Sequence, residues 1–186
     1  MLAVAFVGGC GGSGGSDTPE RSSDVNMKEA ADEADRLIGE TLSSVNPPLE
    51  WTHDESDSGA CPDAQGLGDV TRRAVVMTQV SDGRRGALLG VIERAWKKSG
   101  YKITKVNSDK EFPAVYADAN DGVLKMNLSV GYKGQFFLEV QTACVDKSAV
   151  AQPTTPAKGV DYRGKKVPAP NVHSDFWSSP EPIATH

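Results

Sequence analysis

The sequence predicts an α+β fold, an antiparallel β-sheet with two helices packed on one face, in the element order αββαββββ. Two observations lead to this prediction. Two segments place apolar residues at spacings of three and four, which is typical of amphipathic helices. Several other segments alternate apolar and polar residues with a period of two, which is typical of antiparallel strands with one face in water.

The 186 residues are predicted to hold one folded domain. Residues 1–9 resemble the remnant of a signal peptide, and residues 10–23 form a Gly/Ser-rich stretch typical of flexible linkers. The single α+β domain is assigned to residues 24–145. Residues 146–186 contain most of the prolines and show no helical or strand periodicity, so we predict a disordered or extended tail there.

The first helix is predicted over residues 24–44, with acidic residues on its polar face. Its apolar stripe consists of Met27, Ala30, Ala31, Ala34, Leu37, Ile38 and Leu42. Ser23 or Asp24 is expected to cap the amino terminus, and the proline pair after Asn46 ends the helix. A short strand over residues 49–52 is expected to follow.

A polar loop over residues 53–69 leads to a second strand at 71–80, which is rich in β-branched and apolar residues. The second helix is predicted over residues 83–98. Its two final lysines suit the negative end of the helix dipole, and Gly100 suits a left-handed cap. The face expected to be buried carries Leu88, Leu89, Ile92, Ala95 and Trp96.

Two strands are predicted before the second helix. Four further strands, each an alternating or extended run, are predicted after it and complete the sheet. The runs cover residues 101–106, 113–119, 124–130 and 136–144. Asn120-Asp121-Gly122 separates the second run from the third and is a strong hairpin signal, because these residues tolerate positive φ. The regular period of two indicates antiparallel pairing throughout.

The amino terminus carries a short apolar run, residues 2–7, followed by Gly8-Gly9-Cys10. The run is too short to span a bilayer. An aliphatic residue, two small residues and a cysteine resemble the bacterial lipobox. This resemblance implies that Cys10 is thioether-linked to diacylglycerol, that palmitate-type chains anchor it in the membrane, and that the signal is removed before it. No Lys or Arg precedes the run, so we expect the true initiating Met to lie upstream.

Two cysteines are left once Cys10 is assigned to lipid. An even pair in an oxidising compartment is expected to form a disulfide between Cys61 and Cys144. On the chain-entropy model, closing so long a loop stabilises the fold by about 4–5 kcal/mol. Two buried free thiols are the alternative. A metal site is poorly supported, because neither cysteine has a CxxC or nearby His partner.

Charge is distributed unevenly along the chain, whose net charge is −5. Residues 17–69 carry a net charge of −11 and residues 70–111 a net charge of +6. Three basic pairs in the second region are candidates for a patch that meets an anionic partner: Arg72 and Arg73, Arg84 and Arg85, and Lys97 and Lys98. The alternative is that the acidic and basic regions complement each other within one fold.

Chemical motifs are sparse. The densest group of ligand or acid/base side chains is His53-Asp54-Glu55 with Asp57, which raises the hypothesis of a metal-dependent or hydrolytic enzyme. These residues lie in no recognised order, and a solvated acidic loop beside the disulfide is the alternative. We therefore predict no catalytic residue, no metal ligand and no cofactor.

Several segments together resemble the small lipoproteins of actinobacteria, Streptomyces-like in style. They are the Cys10 motif with its linker, SGAC at 58–61, VTRRAVVMTQV at 70–80 and LSVGYKGQFFLEVQTACV at 128–145. The resemblance implies a lipid-anchored protein on the extracytoplasmic face of the cell membrane, and supplies no catalytic residues.

The expected function is that of a non-catalytic binding or interaction module, not an enzyme. Its expected partners are the lipid bilayer, through diacylglyceryl Cys10, and an envelope protein or wall polymer, with no nucleic acid. Two alternatives remain at this level: an envelope enzyme that uses the His53 acidic loop, and an inhibitor-like domain that caps a secreted enzyme.

Overall fold

The computed structural model describes residues 25–62 and 64–181, so Cys10, the linker and the signal remnant lie outside the described residues. The elements are α1 (Met27–Ser43), β1 (Trp51–His53), β2 (Asp57–Ala60), β3 (Leu67–Val76), α2 (Asp82–Lys98), β4 (Lys102–Asn107), β5 (Ala114–Ala119), β6 (Leu124–Val130), β7 (Phe136–Thr142) and β8 (Val145–Asp146). Among the described residues, no helix is both long enough and apolar enough to cross a bilayer.

Helix α1 begins at Met27 because Asn26 caps it. The Asn26 side chain accepts hydrogen bonds from the N–H groups of Lys28 and Glu29, and the Glu29 carboxylate accepts one from the N–H of Asn26. The caps predicted at residues 23 and 24 lie outside the described residues. All seven residues of the predicted apolar stripe are buried, and Asp35 is buried among them.

The sheet is antiparallel, with the strand order β1-β3-β7-β6-β5-β4. Strand β3 is its longest member, with ten residues, and this length lets it pair with two strands on each edge. Strands β1 and β2 pair with one edge, while β7 and β8 pair with the other. The predicted α+β class and its order of helices within an antiparallel sheet are confirmed; β2 and β8 are additional strands.

Strand β3 runs four residues earlier than predicted, because residues 77–80 leave the sheet. The N–H of Met77 donates to the carbonyl of Glu50, and the N–H of Gln79 donates to the carbonyl of Val172. The backbone N–H groups of this apolar stretch are therefore satisfied by carbonyls outside the strand pairing of β3. The composition of the stretch does not reveal these partners.

Both helices pack against the same face of the sheet and form the main core, while the start of α1 forms a smaller apolar cluster with Val70 and Val145. Alternate positions of β3, β5, β6 and β7 contribute to it together with the buried faces of α1 and α2. Members include Leu37, Ile38, Leu88, Ile92, Trp96, Val76, Val115, Met126, Leu128, Leu138 and Val140. The opposite face is polar at its centre, where Tyr116, Asn127 and Glu139 are register partners on adjacent strands. We call it the open face.

The predicted disulfide between Cys61 and Cys144 is confirmed. Cys61 follows β2 and Cys144 precedes β8, and their Cα atoms lie 6.1 Å apart. The sequence separation is 83 residues, so the bond closes a loop that contains most of the sheet. It joins the segments after β2 and before β8, two strands that pair with opposite edges of β3 near its first residues.

Residues 147–181, here called the C-terminal segment, pack onto the domain and correct the predicted boundary at residue 145. Lys158 exchanges both backbone hydrogen bonds with Trp51 and so extends the sheet beyond β1. Trp177 is 1% exposed within the main core, and its indole N–H donates to the carbonyl of Pro47 at 2.7 Å. The folded unit therefore includes residues that the sequence assigns to a tail.

Removal of the Trp177 side chain tests whether the C-terminal segment is part of the folded unit. We expect Trp177→Ala to lower the free energy of unfolding by about 3–5 kcal/mol, because it empties a large buried site. Urea denaturation measures this change. Val160→Ala is the control, since Val160 is 60% exposed in the same segment and its truncation is expected to change stability by less than about 0.5 kcal/mol. Equal stability of the two variants would contradict the new boundary.

Candidate binding cleft

Two of the six residues predicted to form a basic patch are directed to opposite faces of the sheet. Arg72 and Arg73 are consecutive in β3, so their side chains alternate. Arg72 is 2% exposed on the helix-covered face. Arg73 lies on the open face, where its guanidinium contacts the carboxylates of Asp57 and Glu139 at 2.6 and 2.7 Å. This pair therefore cannot present a common surface to an anionic partner.

The other two basic pairs lie at opposite ends of α2. Arg84 and Arg85 are in its first turn, and Lys97 and Lys98 are in its last, about 20 Å away along the helix axis. The Arg84 guanidinium lies 4.6 Å from the ring centre of Phe176, and Arg85 forms an ion pair within the first turn. The predicted patch is corrected: the three basic pairs share no surface, and four of their six members have ion-pair partners within the fold, namely Arg72, Arg73, Arg85 and Lys97.

The His53 acidic loop is also dispersed. His53 is fully buried at the end of β1, with its ring edge-to-face with Trp51, whereas Asp57 is exposed in β2 and paired with Arg73. Within residues 25–62 and 64–181, no group of three or more His, Cys, Asp or Glu side chains is close enough to hold a metal ion. The loop therefore offers no converging acid/base or ligand set.

A buried ion pair joins α1 to the centre of the sheet. Asp35 and Arg72 are 3% and 2% exposed, and Arg72 Nε lies 3.3 Å from Asp35 Oδ1. The terminal Nη2 of Arg72 donates at 2.7 Å to the carbonyl of Ala151, in the C-terminal segment. The pair therefore links three parts of the molecule: a helix, a strand and the segment that follows the sheet.

The C-terminal segment is held beside this pair by three basic side chains, here called the donor cluster. They donate to alternate carbonyls of the segment: Arg72 to Ala151, Arg163 to Pro153 and His53 to Thr155. The His53 contact is 2.8 Å and joins Nε2 to the carbonyl oxygen, which assigns the ring proton to Nε2. An extended, proline-containing segment is thus fixed by side chains where it has no strand partner.

Burial shifts two titrations in this region in opposite directions. Loss of hydration raises the pKa of Asp35 to about 6, and the nearby Arg72 guanidinium only partly offsets this effect. Loss of hydration lowers the pKa of His53, and it outweighs the hydrogen bond to the Thr155 carbonyl, which acts to raise it. Since both shifts favour the neutral form, His53 is the neutral member of the donor cluster.

Beyond the donor cluster, the C-terminal segment continues onto the open face and forms one wall of a cleft of about 970 Å³. The Tyr162 N–H donates to the Thr52 hydroxyl at 2.9 Å, which fixes the start of this wall. The other walls are the loop after β1 and the sheet itself. The lining residues are His53, Asp54, Glu55, Ser56, Val75, Gln135, Phe137, Gln152, Tyr162, Arg163, Gly164, Lys165, Lys166 and Val167.

Phe137 supplies a half-buried aromatic ring in the sheet wall of the cleft. It is the register partner of Val75, which is buried on the same face. Its ring lies against the backbone of Gly131, where an added Cβ would be 2.7 Å from Cε2 of the ring. The absence of a side chain at Gly131 therefore fixes where the ring sits.

Four charged side chains in the cleft lining have no partner among the described residues. Lys165 and Lys166 make no side-chain hydrogen bond and lie more than 4.0 Å from any described carboxylate; the same holds for Asp54 and Glu55 with respect to bases. Arg163 differs, because its guanidinium is paired with Asp161 at 2.6 Å. Two free positive and two free negative groups therefore line the same cleft.

Three members of the predicted His53 acidic loop, His53, Asp54 and Glu55, do line the cleft, but the sequence did not indicate its other walls. The residues of its C-terminal wall, 162–167, were assigned to a tail. A local signal exists in retrospect: Gly164 has φ of +70° inside a turn in which the N–H of Lys165 donates to the carbonyl of Tyr162. Glycine is typical of turn positions with positive φ, because it adopts this conformation without steric cost.

Among known proteins, the chain matches no family model, and no curated protein is significantly similar to it.

The raised pKa of Asp35 predicts how the stability of the protein depends on pH. Because the folded pKa, about 6, exceeds the unfolded value of 3.8, the native state binds this proton more tightly. The contribution is complete below pH 3.8 and is lost as pH rises through 6. The Asn side chain of Asp35→Asn does not titrate. The free energy of unfolding of the wild type, minus that of the variant, should therefore increase by up to about 3 kcal/mol between pH 7 and pH 4. Urea denaturation across this range measures it.

Asp161→Asn is the control with the opposite sign. Hydrogen bonds from Arg163 lower the pKa of Asp161 to about 2, so its contribution is lost as pH falls below about 4. The corresponding difference should stay level between pH 7 and 5 and then decrease. A level difference for Asp35→Asn between pH 7 and 4 would refute the assignment of Asp35 as a buried group with a raised pKa.

Proposed function

We propose that this protein is a lipid-anchored, extracytoplasmic and non-catalytic binding module, and that the cleft on the open face is its binding site for a component of the cell envelope. The single observation that carries the proposal is the cleft, whose volume of about 970 Å³ lies within the range of small-ligand sites. Its lining combines an aromatic ring, amide groups and unpaired charges, which suits recognition.

The proposed compartment is supported by the disulfide. Such bonds persist in oxidising environments and are rare in the cytosol, and this one closes a loop of 83 residues. The proposed anchor is Cys10, on the resemblance of residues 7–10 to a lipobox. The linker of about 14 residues would have a root-mean-square reach of roughly 20 Å, enough to hold the domain clear of lipid head groups.

A catalytic function has weaker support. A buried, neutral His53 whose Nε2 is engaged by the Thr155 carbonyl has no nucleophile within the hydrogen-bonded contacts of the described residues. An enzyme using the His53 acidic loop would need Asp54 and Asp57 to converge on it, whereas Asp57 is held by Arg73. We therefore place the function in binding by the cleft.

Replacement of the proposed lipid attachment site tests the anchor. The protein is expressed with a complete export signal in a suitable bacterial host. We expect the wild type to incorporate labelled palmitate and to partition into the detergent phase of a Triton X-114 extraction. Cys10→Ser should move to the aqueous phase and lose the label. Cys61→Ser with Cys144→Ser is the control, and should keep the label. Labelled, detergent-soluble Cys10→Ser would exclude the anchor.

Truncation of Phe137 tests the binding site. We expect the purified domain to co-sediment with isolated cell-envelope fragments, and Phe137→Ala to weaken this binding at least tenfold, because the cleft loses its aromatic wall. Tyr116→Ala is the matched control, since Tyr116 is a half-buried aromatic residue on the same open face but outside the cleft lining. Equal binding by wild type and Phe137→Ala would exclude the cleft as the binding site.

A further inference from the structure

We infer that the ligand class of the cleft is a short zwitterionic peptide, two to three residues long, that carries a free carboxylate and a free ammonium group; this inference rests on the proposed binding function. The observation behind it is the pattern of unpaired charge. Lys165 and Lys166 belong to one wall and Asp54 and Glu55 to another, and all four line the same cleft without partners among the described residues.

The ion pairs around the cleft show which of its charged side chains have no partner. Arg163 is paired with Asp161, and it also donates to the carbonyl of Pro153, so it holds the wall in place. Arg73, on the adjoining open face, is paired with Asp57 and Glu139. Among the lining residues that the structure describes, the charged side chains without a partner are therefore the two lysines and the two acids, which balance each other in number.

A ligand with charge of one sign fits this lining poorly. A carboxylate or phosphate would be attracted by Lys165 and Lys166 and repelled by Asp54 and Glu55, because all four line the same cleft. A purely cationic ligand meets the reverse situation. A ligand with one group of each sign places an ammonium near the acids and a carboxylate near the lysines, and so uses both sets.

The size of the cleft limits the length of this ligand. A volume of about 970 Å³ corresponds to a space about 10 Å across. An extended peptide advances about 3.3 Å per residue, so two to three residues bring its termini to that separation. The remaining lining suits such a chain: the Phe137 ring offers an apolar surface, and the exposed Gln152 amide can both donate to and accept from peptide groups.

The experiment pairs ligand charges with protein charges. The probes are the tripeptide Ala-Ala-Ala with free termini, its N-acetylated form, its C-amidated form and the doubly blocked form, together with the anionic saccharide trigalacturonate. Dissociation constants are measured by titration calorimetry at low and high salt on the wild-type domain, on Lys165→Gln with Lys166→Gln, and on Asp54→Asn with Glu55→Gln.

We expect the free tripeptide to bind the wild type most tightly, and each blocked terminus to weaken binding about threefold to fivefold, which is the range of partly exposed ion pairs. In the lysine variant, amidation of the carboxylate should have no further effect, while acetylation should still weaken binding. In the acid variant the reverse should hold. High salt should reduce both differences.

Each other outcome counts against the inference. Equal binding of all four peptides, or coupling of both termini to the same pair of protein charges, would overturn the zwitterionic ligand. Tighter binding of trigalacturonate than of the free tripeptide would identify an anionic saccharide instead. The proposed function fails separately, if Phe137→Ala and wild type bind envelope fragments equally, so the two failures are distinguishable. Circular dichroism on both double variants, whose altered side chains make no hydrogen bond or ion pair among the described residues, confirms that loss of binding is not loss of structure.

Discussion

The buried ion pair between Asp35 and Arg72 is the interaction on which the rest of the architecture depends. Arg72 occupies a strand position whose neighbours on the same face are apolar, so its charge enters the interior. An unpaired guanidinium there would be strongly destabilising, and Asp35 on α1 supplies the opposite charge at 3.3 Å. The helix is thereby held in one register against the sheet, and a further donor of Arg72 is left to bind the carbonyl of Ala151.

This arrangement connects the interior to the cleft through the C-terminal segment. Its residues 151–155 have no strand partner, and the donor cluster of His53, Arg72 and Arg163 supplies the hydrogen bonds that a neighbouring strand would otherwise provide. The same segment then pairs with β1 at Lys158 and forms a wall of the cleft. Desolvation opposes the charged form of Asp35 and raises its pKa, so it offsets part of the attraction between the two charges.

Much of the fold was predictable because its elements have local periodicity. The apolar stripe of α1, the alternation in β6 and β7 and the glycine after α2 each depend on residues within a few positions of one another. The Cys61–Cys144 bond was predictable by elimination. The cleft was not, because its walls come from the loop after β1, from β7 and from residues 162–167, and no periodic pattern relates these segments.

The sequence by itself determined the two helices, most of the strands, the α+β class and the disulfide, because period and the number of cysteines are properties of the chain. Only the tertiary structure decided that Arg72 lies inside while Arg73 lies outside, and that the proline-rich residues after 145 belong to the domain. The physical reason is that a hydrogen bond from a side chain to a carbonyl far away in the sequence produces no periodic pattern of residues. The buried charge of Arg72 is tolerated because the fold brings Asp35, which is distant in the sequence, next to it.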